Sequence, residues 1–86
     1  MKEKYDFISE DELFNNIGNN IKYYRKLFCL NNSSMTQEKL AELINVSTSF
    51  IGNLESKKTY QGISLHNLYK ISIVLNVPID EFFKDR

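Results

Sequence analysis

The chain is expected to fold as an all-α domain of five helices, and three observations predict it. Apolar residues recur at i, i+3 and i+4 in successive stretches, the spacing that puts them on one helix face. Most of those stretches open on a serine or threonine flanked by an apolar pair, the mark of a capped and stapled helix start. No stretch alternates apolar and polar residues as a half-buried strand does.

Residues 1–8 read as an N-terminal arm, mobile or loosely docked, and residues 9–86 as one domain. Ser9 and Glu12 have capping-box spacing, and Ile8 with Leu13 has staple spacing, so the first helix starts near Glu10. Leu13, Ile17, Ile21, Tyr24 and Phe28 form its apolar stripe, and it ends near Leu30. Gly18 lies inside that pattern at a cost of about 1 kcal/mol relative to alanine. It marks either a kink or the close approach of another helix. Residues 31–34, Asn-Asn-Ser-Ser, are a polar loop by composition.

The centre of the chain is Thr36 to Glu55. Thr36 caps one helix and Ser47 the next, with Met35 stapled to Leu40 and Val46 to Ile51. Leu40, Ala41, Leu43 and Ile44 are expected on the core face of the first, and Phe50, Ile51 and Leu54 on that of the second. Asn45 stands where the corner needs a left-handed residue, a conformation asparagine tolerates well. The second helix also carries a small polar face of Thr48, Ser49, Gly52 and Asn53 with no packing task. This is the layout of a helix-turn-helix and its recognition helix.

Beyond Glu55 runs a loop, S-K-K-T-Y-Q-G-I, with Gly62 as its expected left-handed residue. Ser64 caps the fourth helix, with Ile63 against Leu68, and Leu65, Leu68, Ile71 and Leu75 facing the core. Asn76 ends it. A fifth helix, Pro78 to Phe83, has proline in its first turn and presents Ile79, Phe82 and Phe83. The two adjacent phenylalanines cannot both face one core. One packs inward with Ile79 and the other is left for a partner.

At these residues the chain resembles the lambda-repressor-like (Cro/repressor-type, Xre) helix-turn-helix family. The likeness rests on Thr-Gln opening the first motif helix, Leu-Ala within it, Val-Ser at the turn, and Ile two residues before Asn-Leu-Glu. It continues through S-L-H-N-L-Y-K-I-S-I-V-L-N-V-P-I-D-E-F-F and covers roughly Ile17 to Phe83. Two features depart from the common pattern. Asn45 replaces the usual turn glycine, and the link from Cys29 to Met35 is long. The resemblance implies a five-helix DNA-binding regulator of transcription, a repressor or a restriction–modification controller, bound as a homodimer to a pseudo-palindromic operator. It implies base reading by Thr48, Ser49, Gly52 and Asn53, and phosphate contact by Gln37, Lys57, Lys58, Tyr60 and Ser64. Arg25 and Glu55 match positions that form an inter-helix ion pair. Ile79, Phe82 and Phe83 lie in the helix that often makes the dimer contact. RNA polymerase is a further possible partner. Antitoxins and protein-interaction modules of the same fold are the alternative.

Composition sets the remaining bounds. Eighty-six residues hide only about 60–65% of their unfolded surface, so the core is modest. One cysteine, Cys29, excludes an intrachain disulfide and a cysteine zinc cage, as suits a reducing cytoplasm, and the resemblance implies a cytoplasmic protein of bacterial or phage type. Cys29 itself reads as a small buried hydrophobe. His66 has no partner at metal spacing and reads as a surface residue. No cofactor and no metal are expected. Without a nucleophile–base arrangement, a glycine-rich phosphate loop or clustered carboxylates, neither is an enzyme. No apolar run is long enough to span a membrane, and the acidic start is no signal peptide. The formal net charge of zero hides an asymmetry. Residues 1–12 carry two lysines and five acids, residues 13–63 six bases and three acids, and residues 64–86 three of each. The positive excess therefore lies in the segment that holds the motif.

Overall fold

The computed structural model describes residues 4–57 and 61–86. Four α-helices follow one another, α1 (Glu10–Asn31), α2 (Gln37–Ile44), α3 (Thr48–Glu55) and α4 (Leu65–Leu75), before a closing 3-10 helix, Ile79–Phe83. No strand occurs among the described residues. The fold is thus all-helical, with a 3-10 helix where a fifth α-helix was expected. That closing segment has only five residues, and Glu81 bonds back three residues to the Pro78 carbonyl at 3.0 Å. Tight i→i+3 bonding suits so short a piece.

Each α-helix starts where its cap lies. The hydroxyls of Ser9, Thr36, Ser47 and Ser64 accept hydrogen bonds from the amides of Glu12, Lys39, Phe50 and Asn67. Each bond satisfies one of the amides that a helix start leaves without a partner. Two helices end on left-handed asparagines, Asn45 with φ 62° after α2 and Asn76 with φ 57° after α4. No glycine has a positive φ, so the expected left-handed role of Gly62 is not found. Gly62 instead lies beside the Phe14 ring, where an added Cβ would sit 3.6 Å from its edge.

The core runs through all five elements: Ile17 and Ile21 of α1, Leu40, Ala41 and Ile44 of α2, Ile51 and Leu54 of α3, Leu68, Ile71 and Leu75 of α4, and Phe82. Two residues expected there lie outside. Leu43 is 48% exposed and Leu65 73%. Leu43 sits one step of about 100° from Ile44, beyond the edge of the buried face. Leu65 is the first residue of α4, directly after its Ser64 cap, about a turn before the first buried residue, Leu68. Cys29 is exposed as well, not a buried hydrophobe. Its sulfur accepts a bond from the Met35 amide at 3.1 Å and reaches the Met35 carbonyl at 3.5 Å, so it secures the link into α2.

Gly18 marks a close approach and not a break, since α1 runs through it unbroken. A Cβ there would lie 1.8 Å from the carbonyl oxygen of Leu54, so α1 and the end of α3 meet backbone to backbone. The C-terminal residues are fastened to α1 by a fully buried asparagine. Asn20 donates to the carbonyls of Phe82 at 2.9 Å and Lys84 at 2.7 Å, and its oxygen accepts from the Arg86 guanidinium. Arg86 lies over the Tyr23 ring, 4.2 Å from its centroid. Tyr24 donates its hydroxyl proton to Glu81 at 2.8 Å, and burial, with this bond behind it, raises the hydroxyl's pKa above the ordinary tyrosine value.

Candidate nucleic-acid interface

The corner between α2 and α3 is built from local chemistry. Asn45 turns the chain left-handed, and the Val46 amide bonds back to the Ala41 carbonyl at 3.0 Å. These bonds occupy carbonyls that the end of α2 would otherwise leave unpaired. A further α2 carbonyl, that of Ile44, accepts from the Lys70 ammonium at 2.9 Å. Sequence reasoning missed Lys70, because its partner lies 26 positions away on another helix.

Helix α3 divides cleanly. Ile51, Leu54 and Glu55 are buried, while Thr48 and Ser49 are exposed and Gly52 and Asn53 half-exposed. Among the described residues, no side chain of Thr48, Ser49 or Asn53 makes a hydrogen bond, so their donors and acceptors face outward unused. Packing does not require a glycine at position 52. A Cβ there would meet only the Gln37 side-chain oxygen, at an ordinary 3.6 Å.

Behind this face lies a buried ion pair. Arg25 of α1 grips Glu55 with two parallel bonds, Nε to Oε2 and Nη2 to Oε1, both 2.8 Å. Its remaining nitrogen, Nη1, donates to the Met35 carbonyl at 3.1 Å. Glu55 holds the Arg25 pKa above its usual value, against the opposing effect of burial. Gln37 joins the same cluster, donating from Nε2 to Glu55 Oε1 at 3.0 Å. One carboxylate therefore fastens α1, the start of α2 and the end of α3 together. Gln37 keeps its second amide proton and its side-chain oxygen at the N-terminus of α2, where free backbone amides favour anions.

Of the other residues expected at phosphates, Lys57 is exposed in the turn after α3, and Ser64 is exposed at the start of α4 with its oxygen engaged by the Asn67 amide. Lys58 and Tyr60 lie outside the described residues. Among the three expected at a dimer contact, Phe83 is 42% exposed, Ile79 is partly buried and Phe82 is fully buried. Phe82 is therefore a core residue and no contact for a partner. Its ring packs edge-on against Tyr24, centroids 5.7 Å apart. No group of three or more His, Cys, Asp or Glu residues is placed to hold a metal ion among the described residues. None of the described helices is long and apolar enough to cross a membrane.

A corner of this geometry, with an uncommitted polar face on its second helix, is what a helix-turn-helix requires. The helix-turn-helix family model of the Xre/lambda-repressor-like type matches residues 21–82, nearly three-quarters of the chain. The chain belongs to that family. No curated protein matches it. The matched segment takes in α2, α3 and α4 and ends on Phe82. This helix-turn-helix protein is accordingly a DNA-binding regulator of transcription in the general sense its family carries. The first three turns of α1 and the arm before them fall outside the match.

Proposed function

We propose that the protein is a sequence-specific regulator that binds double-stranded DNA as a homodimer at a pseudo-palindromic operator, with one α3 in each of two successive major grooves. A repressor or a restriction–modification controller is the form that fits a single small domain, acting by occupancy or by touching RNA polymerase from a bound site in the cytoplasm. The observation that carries the reading is the outward face of α3, whose polar side chains make no hydrogen bond among the described residues. Thr48, Ser49 and Asn53 are the base readers, and Gly52 lets the α3 backbone approach the duplex. Gln37, Lys57 and Ser64 flank that face as phosphate contacts, with Lys58 and Tyr60 beside them in sequence. The neutral total charge leaves an antitoxin or protein-interaction module as the rival reading. Selection of bound sequences from a random DNA pool tests the proposal. A recovered palindrome supports it, and an absence of binding even at low salt overturns it.

Asn53 sits one helical turn beyond Ser49, so the two side chains point from one side. Asn53→Ala should lose about 1–3 kcal/mol on the preferred operator and relax preference at one base pair of each half-site. Nonspecific affinity should hardly change, because it rests on phosphates. Base-by-base specificity profiles of both proteins at one salt concentration check this, and identical profiles would remove Asn53 from base reading.

The two adjacent phenylalanines predict opposite outcomes. Phe83→Ser removes an exposed ring and should give a folded monomer with weak operator binding. Phe82→Ser empties a fully buried site and should cost about 3–5 kcal/mol, as core Phe truncations do. Sedimentation and thermal melting of the two variants separate these effects. Should Phe83→Ser remain as dimeric as the wild type, Phe83 has no place in the dimer contact.

A further inference from the structure

The N-terminal arm and the far end of α1 both expose apolar side chains, yet Phe7 is too close to the start of α1 to reach the far end of its own helix. Tyr5, Phe7 and Ile8 are 60%, 85% and 49% exposed. At the opposite end of α1, Tyr23, Leu27 and Leu30 are exposed beside a groove walled by Leu27, Phe28, Leu75 and Val77. Eighteen residues of helix separate Ser9 from Leu27, about 27 Å at the α-helical rise. Phe7, two residues before Ser9, extends at most about 7 Å from it along the backbone. Phe7 therefore cannot reach Leu27 of its own chain.

Charge is arranged in a complementary way. Asp6, Glu10, Asp11 and Glu12 cluster at the arm and the first turn of α1, whereas Lys22 and Lys26 are exposed on its second half. Between them, Asn15 and Asn19 present polar side chains of modest size on the outer face. Asn15 and Asn19 lie about a quarter-turn round α1 from Gly18 and Arg25, where α3 packs. Resting on the homodimer reading above, we propose that α1 pairs antiparallel with α1 of a second copy, the arm of each lying along the exposed Tyr23, Leu27 and Leu30 at the far end of the other.

A two-fold axis near Asn15 and Asn19 sets Glu12 of one copy opposite Lys22 of the other and brings Phe7 toward the exposed Tyr23, Leu27 and Leu30 of the partner copy. Each attraction then occurs twice, as the symmetry of such an interface demands. The pairing sets Arg86, which lies on Tyr23, beside the partner copy's arm. It also leaves α3 uncovered for DNA.

Sedimentation equilibrium of the full chain tests the pairing, with wild type dimeric at roughly tens of micromolar and thermal melts as the check on folding. Phe7→Ser should weaken dimerisation about tenfold or more, as loss of a buried aromatic anchor does. Glu12→Lys and Lys22→Glu should each weaken it severalfold, and the double variant should recover most of the loss. The penalty of each single reversal should shrink at high salt. A dimeric wild type that Phe7→Ser leaves unchanged, or reversals that do not rescue each other, would overturn the arm pairing and leave the homodimer standing. A wild type that stays monomeric would overturn both.

Discussion

Gly18→Ala should destabilise the protein by at least about 2 kcal/mol, an unusual sign for a Gly→Ala change in the middle of a helix. Such a change ordinarily gains up to about 1 kcal/mol. Here the new methyl would fall 1.8 Å from the Leu54 carbonyl oxygen and 2.9 Å from its carbonyl carbon. Both are backbone atoms, so no side chain can swing aside, and α3 must move off α1 by more than an ångström. Overpacking of this kind costs typically about 1–3 kcal/mol and occasionally more. The displaced segment carries Glu55, so the shift also strains both of its bonds to Arg25. A domain of this size loses about 4–8 °C of thermal midpoint per kcal/mol, so a fall of at least about 8 °C is expected by calorimetry. Gly52→Ala is the internal control. Its methyl would meet only the Gln37 side chain at 3.6 Å, so stability should stay level or rise by up to about 1 kcal/mol. A midpoint for Gly18→Ala equal to or above that of wild type would show that α3 can yield at no cost.

The contrast between these glycines shows where sequence reasoning stops. Both stand inside helical patterns, and neither pattern separates a close helix approach from another use of glycine. What separates them is a backbone distance between segments some 36 positions apart, which no local pattern carries. Features set within a few residues were legible. The caps at Ser9, Thr36, Ser47 and Ser64 and the left-handed Asn45 depend on near neighbours alone, and each is found in place. Gly62 was misread because glycine is only one way to supply a left-handed residue, and among the described residues asparagine stands at both such sites. Leu43 and Leu65 were misread because periodicity locates a face but not its edges. The Arg25–Glu55 bond was suggested by family resemblance, whereas Gln37 and Met35 completing its shell were not. The grip of Asn20 on the C-terminal residues spans more than sixty positions and gave no signal beyond an asparagine on an apolar stripe.

Glu55→Ala should cost about 3–5 kcal/mol, the range for removing one partner of a buried ion pair. The geometry places it there: Glu55 has only 2% of its side chain exposed and Arg25 11%, and the two meet through paired bonds of 2.8 Å. Truncation would leave the guanidinium out of water with only the Met35 carbonyl to accept from it, and would strip Gln37 of its acceptor. A domain of this size holds roughly 4–13 kcal/mol in all, so a large unfolded fraction is expected at moderate denaturant. The loss should also reach DNA binding through folded molecules, because the same carboxylate fixes the start of α2 against the end of α3. Replacing Arg25 and Glu55 together by apolar residues should cost less than the two single changes combined, since no charge is then left buried alone. Denaturant titrations of the double-mutant cycle measure that coupling. Strict additivity would mean that the two charges do not depend on each other for stability, whatever their distance.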